Sequence, residues 1–448
     1  MVLAMTHQTE SNPGRTLLAG GRLLSPADDL DRTGDILVEG GRILAIGEDV
    51  DASSADHRID VDGLLVCPGL IDPHVHLREP GQGAKETIAT GTSAAVNGGF
   101  TSVCCMPNTA PTLDSGDQVE WVDLKNRAEG RCRVFVAAAA TIGRRGEALA
   151  PIHAEVAAGA VAITDDGDGI ADAAMMRRIL STCASLGIPF MQHCQDPTLT
   201  RGASMHEGAI STRLGLIGWP RVAEEIMLER DLRLNRSIGA TYHAQHLSSG
   251  GSVEILGRAR RDGIPASGEV SPHHLLLTDA ACEGFDTNAK MNPPLREETD
   301  RRALVQGVAD GVITVLATDH APHTAAEKAL PFEDAPLGII GVDCALPLYA
   351  EALVRSGAID WHRLIELLTI EPARLLGLDR LGFGRLRADG PADITVIDPD
   401  LEWTIDVAEF ASKARNCPFH GRTVRGRSVL TMVGGRVECR RIDAATAV

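Results

Sequence analysis

Two histidines two positions apart, His74 and His76, stand in the stretch PGLIDPHVHLREPG (68–81). On an extended strand alternate side chains share a face, so both imidazoles point one way and can reach one metal ion. Arg78 continues the same parity, which aims a guanidinium at whatever sits on that ion. Other residues with metal-binding chemistry close short apolar runs further along: Asp165 and Asp166, His193, His243 and His246, and Asp319 with His320 and His323. Imidazole nitrogens and carboxylates suit zinc, or a similar divalent ion such as cobalt or manganese. Their number exceeds the three protein ligands of one open catalytic site and fits two ions sharing a bridging carboxylate.

Not all of these residues can serve at once. Asp165 and Asp166 are adjacent, so on a strand they point oppositely and only one faces a shared centre. His243 lies three residues before His246, which again sends the two to opposite faces. His246 is the expected ligand, because it ends its run just before the turn LSSGG (247–251). His153, His206, His362 and His420 are read as ordinary hydrogen-bonded histidines. His273 and His274 follow a strand but have no evident partner in the sequence.

The elements that must position these residues have a regular order. Short apolar runs ending in polar residues cover 100–108, 132–141, 160–167, 189–194, 240–246, 264–274 and 312–323, and the run carrying His74 makes eight. Helix-like segments such as 173–186 and 221–234 lie between them. Strand then helix, repeated eight times, predicts a parallel (β/α)8 barrel of the TIM type, whose active site is built from the C-terminal strand ends. The candidate ligands fall at those ends. On either side the texture changes to short alternating strands: TLLAGGRLLS, GDILVEGGRILAIG and HRIDVDGLLVC before, ADITVIDPDLEWTI and RGRSVLTMVGGRVECR after. The pairs Gly20–Gly21, Gly40–Gly41 and Gly434–Gly435 read as hairpin turns. The chain is therefore expected to divide into a catalytic barrel over 67–385 and one small β-sandwich domain formed jointly by 1–66 and 386–448.

The formal charge of −18 argues against a nucleic-acid-binding or anionic-membrane-binding surface, but leaves a small anionic substrate open. No apolar run is long enough for a transmembrane helix, and MVLAMTHQTESNPGR lacks the apolar stretch of a signal peptide. It reads as a polar lead-in. The ten cysteines are scattered without a CxxC pair, the usage of a reduced, cytoplasmic protein.

Several motifs together resemble the amidohydrolase superfamily and, within it, the bacterial dihydroorotases: PGLIDPHVHLREPG (68–81), MPNT (106–109), TDDG (164–167), HC (193–194), EVSPHHLLL (269–277), KMNPPLR (290–296) and ATDHAPH (317–323). The similarity runs from about residue 16 to 440. It implies two zinc ions per chain, with His74 and His76 on the first, His193 and His246 on the second, and Asp166 as the bridge. Asp319 is implied as catalytic acid/base beside the first zinc, also touching it. His76, Arg78, Asn108, Asn292 and His323 match substrate-holding positions, and Leu337 and Gly338 match a loop that touches substrate through its backbone. Some relatives bridge their metals with a carboxylated lysine. The only lysines here are 85, 125, 290, 328 and 413, none at the end of strand four, which fits the aspartate-bridged subgroup.

The reaction implied is reversible hydrolysis of dihydroorotate to N-carbamoyl-L-aspartate in pyrimidine biosynthesis. A homodimer, and association with aspartate transcarbamoylase, are further implications. The rival readings are another cyclic amidase, allantoinase or hydantoinase, and a scaffold partner of aspartate transcarbamoylase without activity. The absent strand-four lysine and the Arg78/Asn108 pair argue against the first; the filled ligand positions argue against the second. The segment TAAEKALPFEDAPLGIIG (324–341), after ATDHAPH, reads either as a lid or as a long loop.

Overall fold

A computed structural model describes residues 14–442. Most of the N-terminal lead-in therefore lies outside the described residues. The chain opens with five strands: β1 (Thr16–Ser25), β2 (Leu30–Glu39), β3 (Arg42–Gly47), β4 (His57–Asp60) and β5 (Leu65–Pro68). It then enters a parallel series: β6 (Leu70–Val75), β7 (Phe100–Cys105), β8 (Arg133–Ala138), β9 (Ala162–Ile163) and β10 (Phe190–Gln192). A two-stranded excursion, β11 (Met205–His206) and β12 (Gly218–Trp219), interrupts it before β13 (Tyr242–Ala244), β14 (Ala266–Val270) and β15 (Val315–Leu316). The chain ends in β16 (Ile394–Thr404), β17 (Thr423–Val433) and β18 (Arg436–Arg440).

The two terminal groups of strands form one sheet, in the order β18-β17-β16-β5-β1-β2-β3 with β4 beside β1. The join is the antiparallel pair β5–β16, with Ile394 opposite Pro68 and Ile397 opposite Leu65. Alternating aliphatic residues from both ends of the sequence, among them Leu18, Ile36, Val66, Ile394, Val396 and Leu430, meet in one buried cluster. Gly40–Gly41 and Gly434–Gly435 are the β2–β3 and β17–β18 turns, as expected. Gly20–Gly21 is not a turn: both lie inside β1, where the register against β2 shifts between Leu18 and Gly21. A bulge there needs the positive φ of Gly20 (80°). A Cβ on Gly21 would stand 2.5 Å from Val66, so close packing on β5 accounts for the second glycine.

The eight parallel strands follow the order β6-β7-β8-β9-β10-β13-β14-β15, as the eightfold strand–helix alternation predicts. The ring closes just beyond β15. Val75 bridges His320, His76 N–H donates to His320 O at 2.9 Å, and buried Asp72 accepts from Thr318 N at 3.1 Å and Thr318 Oγ1 at 2.6 Å. Helices cover the outside. The one over Ala173–Leu186 coincides with its predicted span, capped by Asp172 accepting from Met175 N and ended by left-handed Gly187. Its inner face is Met175, Met176, Ile179, Leu180 and Cys183, the spacing of an amphipathic helix. The helix Val222–Asn235 begins and ends one residue later than predicted. No described helix is long and apolar enough to cross a membrane.

The barrel strands are shorter than the apolar runs that announce them. β9 and β15 have two residues each, and the run 264–274 divides into β14 and a helical turn, Pro272–Leu276. The remaining residues of those runs bend over the rim. Arg78, His246 and Asp319 have φ of 61°, 31° and 47°, a region that costs a non-glycine residue on the order of 1–3 kcal/mol.

Candidate active site

Six donors meet at the C-terminal mouth of the barrel. His74 Nε2 lies 3.3 Å from Asp166 Oδ1 and 3.4 Å from Asp319 Oδ1. His76 Nε2 lies 2.9 Å from Asp319 Oδ1 and 3.6 Å from Asp166 Oδ2. On the other side of Asp166 Oδ1 stand His246 Nε2 at 3.5 Å and His193 Nδ1 at 3.7 Å, themselves 2.8 Å apart. Asp166 thus sits between two pairs of imidazoles. All six side chains are buried, none of the residues being more than 5% exposed.

The donors suit a metal. His74, His76 and Asp166 place ligand atoms within 4.8 Å of one another, as do His74, His246 and Asp319, and Asp166, His193 and His246. His74 Nε2 and Asp166 Oδ1 are buried without a hydrogen-bond partner, although each has neighbours at 3.3–3.7 Å. Lone pairs aimed at a common centre rather than at each other are what a cation requires. Burial opposes ionisation of Asp166, yet His74, His193 and His246 hold it well below the usual carboxylate range. Burial likewise opposes ionisation of Asp319, which His74 and His76 keep low. For His74, burial acts downward, but Asp166, Asp319 and Glu269 outweigh it and raise the imidazole well above its ordinary value. Buried anions in this number need a counter-charge.

The candidates among which the sequence left a choice have these partners. Asp165 turns away from the centre and accepts from Ala140 N at 2.8 Å, Thr141 N at 3.0 Å and the Thr141 hydroxyl. His243 faces Ser267 and Glu269. His320 is bound up with Glu86 and the backbone at Gly341. His273 and His274 share Ser271 Oγ, and His274 also bonds Pro293 O. His206 lies between Arg221 and Arg296, and His420 takes a hydrogen bond from Val407 N, whereas His153 is exposed.

A cavity of about 250 Å³ opens over the donors. Its lining includes His76, Arg78, Asn108, Asn292, His323, Leu337 and Gly338. Strand parity is not what carries Arg78 there, because β6 ends at Val75 and Arg78 has left-handed backbone. Its Nε donates to Pro322 O at 3.1 Å, and among the described residues no carboxylate pairs with it. Burial lowers this guanidinium to about 10, so it is charged at neutral pH. Asn108 bonds His76 Nδ1 through Oδ1 at 2.8 Å and reaches Asp166 Oδ2 through Nδ2 at 3.4 Å. Asn292 donates to Gln195 Oε1 at 3.2 Å and keeps a buried, unpartnered Oδ1. His323 bonds Leu337 O at 3.0 Å through Nε2.

The segment 324–341 is tied down at several points. Lys290 Nζ donates to Phe332 O, Ala335 O and Glu333 O at 2.5, 2.7 and 3.0 Å. Lys328 Nζ donates to Thr287 O at 2.8 Å and Pro336 O at 2.9 Å. Asn416 Nδ2 donates to Ala321 O and Gly338 O, each at 3.0 Å. A Cβ on Gly338 would lie 2.7 Å from the His323 ring, so this position requires glycine. Sequence reasoning assigned no part to Glu269, Gln245, Gln195 or Asn416. Glu269 carried the one usable signal, a lone carboxylate inside a run otherwise read as a buried strand.

A protein-family model described as "Dihydro-orotase-like" matches residues 63–252. The dihydroorotase of Bacillus caldolyticus is 49% identical over 377 residues, covering 84% of this chain and 88% of that protein. The dihydroorotase of Syntrophobacter fumaroxidans is 43% identical over 438 residues, covering 97% and 99%. Among solved structures, the L-hydantoinase (dihydropyrimidinase) of Arthrobacter aurescens superposes with a TM-score of 0.85 at 24% identity, covering 96% of this chain and 97% of its own. The D-hydantoinase (dihydropyrimidinase) of a Thermus species gives 0.81 at 25% identity, covering 95% of both. The hydantoinase likeness is one of barrel architecture; the high identity lies with the dihydroorotases.

Proposed function

The chain belongs to the dihydroorotase family, and from that premise we propose that the buried donors hold two zinc ions, with Asp166 between them. His74 and His76 serve the first, His193 and His246 the second, and Asp319 stands beside the first as ligand and proton carrier. The reaction is hydrolysis of a cyclic amide, dihydroorotate to N-carbamoyl-L-aspartate, and its reverse.

Metal ions in such a centre lower the pKa of water to about 7 and polarise a carbonyl. The protein's own groups do the rest. Arg78, buried and paired with no carboxylate among the described residues, takes the substrate carboxylate in a bidentate grip. Asn292 offers amide hydrogen bonds to the ring, and Asn108, already bonded to His76, limits how the ring can lie. His323 and the backbone at Leu337 and Gly338 close the far side of the cavity. Asp319 accepts a proton from the attacking water and returns it to the ring nitrogen as the C–N bond breaks. In the condensing direction the same carboxylate moves the proton the other way.

The observation that carries the substrate reading is the buried Arg78, which pairs with no carboxylate among the described residues and lines the same small cavity as the donor cluster. Dihydroorotate, hydantoin and allantoin assayed side by side on one metal-replete sample test it. Dihydroorotate is expected to dominate; preference for either other ring would overturn the assignment. Full metal content with no turnover of any ring would favour the scaffold reading. A cytoplasmic setting is supported by ten free cysteines, nine of them buried.

Arg78→Lys keeps the charge but loses the planar fork. A hydrogen bond to a charged group is worth about 1.5–3 kcal/mol, so kcat/KM should fall by about one to two powers of ten. Metal content should stay near that of the parent. Normal kcat/KM in this variant would place the carboxylate elsewhere, with His323 the next candidate.

A further inference from the structure

Behind the donor cluster runs a chain of hydrogen bonds that the proposed mechanism does not use. Ser267 Oγ lies 2.7 Å from His243 Nδ1, and His243 Nε2 lies 3.0 Å from Glu269 Oε2. Glu269 Oε1 lies 2.6 Å from His74 Nδ1 and also accepts from His246 N at 3.2 Å. His74, His243 and Glu269 have no solvent exposure. An ionised carboxylate can only accept, which assigns the direction of the bonds to Glu269. His74 donates from Nδ1 and His243 from Nε2, and Ser267 Oγ meets the other ring nitrogen of His243. Gln245 Nε2, at 3.3 Å from His74 Nδ1, is the weaker neighbour and does not compete. With Nδ1 turned to Glu269, His74 Nε2 is the nitrogen that faces Asp166 and Asp319, at 3.3 and 3.4 Å.

We infer that Glu269 is a positioning residue for the metal centre, holding His74 in the Nδ1–H tautomer and joining it to the backbone of His246, with His243 as its support. The inference rests on the metal-centre reading above. His74 comes from the first barrel strand and His246 from the end of the sixth, so one carboxylate fixes donors from two separate strands in common register. It also explains why His243, which faces away from the centre, is a histidine: its two ring nitrogens span the gap from Ser267 to the second carboxylate oxygen. The role needs two acceptor oxygens. A glutamine has one, so in Glu269→Gln an N–H must face either His74 or His243, and one of those rings must turn over or lose its bond.

Glu269→Gln is expected to weaken metal binding by about 10–100-fold, the usual effect of removing a partner of a ligating histidine. Chelator competition on the purified chain, loaded with zinc or cobalt, measures this without any assay of turnover. The visible spectrum of the cobalt form should also change, which a loss of packing alone would not produce. His243→Leu should weaken binding in the same direction, whereas His243→Gln, which keeps a donor toward Glu269, should restore most of it. These two variants decide the matter if Glu269→Gln does not fold. Parent-like affinity and spectrum in Glu269→Gln, or equal affinities in His243→Leu and His243→Gln, would overturn the inference. His193→Ala is the control: if it loses metal while Glu269→Gln keeps it, the positioning role alone fails. If His193→Ala also keeps full metal, the metal-centre reading itself fails.

Discussion

Asp319→Asn should lower turnover by about 10²–10⁴-fold in both directions, the usual range for loss of a general acid–base group. Asparagine keeps the size of the side chain and one acceptor oxygen, but cannot take up a proton. The carboxylate it replaces lies 2.9 Å from His76 Nε2 and 3.4 Å from His74 Nε2, on the cavity side of the cluster. The fold and most of the metal should survive, because His74, His76, Asp166, His193 and His246 are untouched. If Asp319 served only as a ligand, the variant would instead lose metal and regain most of its rate in excess zinc. Metal content and turnover at saturating zinc separate the two cases, and full rescue would sink the proton-carrier role.

The second large effect separates two adjacent residues. Asp166→Ala removes the carboxylate common to two of the donor groups, so on the proposed two-ion reading metal binding and essentially all activity should be lost. Asp165→Ala should keep its metal, because that carboxylate faces the Ala140–Thr141 backbone instead. Its cost is one of stability: buried donors left without an acceptor typically cost about 1–3 kcal/mol each, which should appear as a lower Tm. A bridge made by an unmodified aspartate also means that activity regained on adding metal to the stripped protein should not depend on bicarbonate. Metal analysis of the two variants decides the assignment, and the reverse pattern would make Asp165 the bridge.

The architecture was legible because it is written in local periodicity. Alternating aliphatics at both ends foretold a shared sheet, and apolar runs closed by polar residues foretold the barrel and its working face. Gly20–Gly21 misled because a glycine pair signals special backbone or close packing without saying which: here a bulge and the approach of Val66. The run 312–323 was read at full length, yet only Val315–Leu316 is strand, because ring closure on β6 takes over at Thr318 and His320.

By itself the sequence determined the types of the donors, their place at strand ends and, through its motifs, the family. The tertiary structure decided which donors face one another. Parity along a strand is a two-residue rule, and the rim residues that matter have left the strands: Arg78, His246 and Asp319 all turn through positive φ. Past that turn, direction is set by what each side chain can bond. Asp165 is drawn to free backbone N–H groups, and His243 to a carboxylate brought by the next strand. Glu269 acquires its place only when His74, 195 positions away, arrives across the closed barrel.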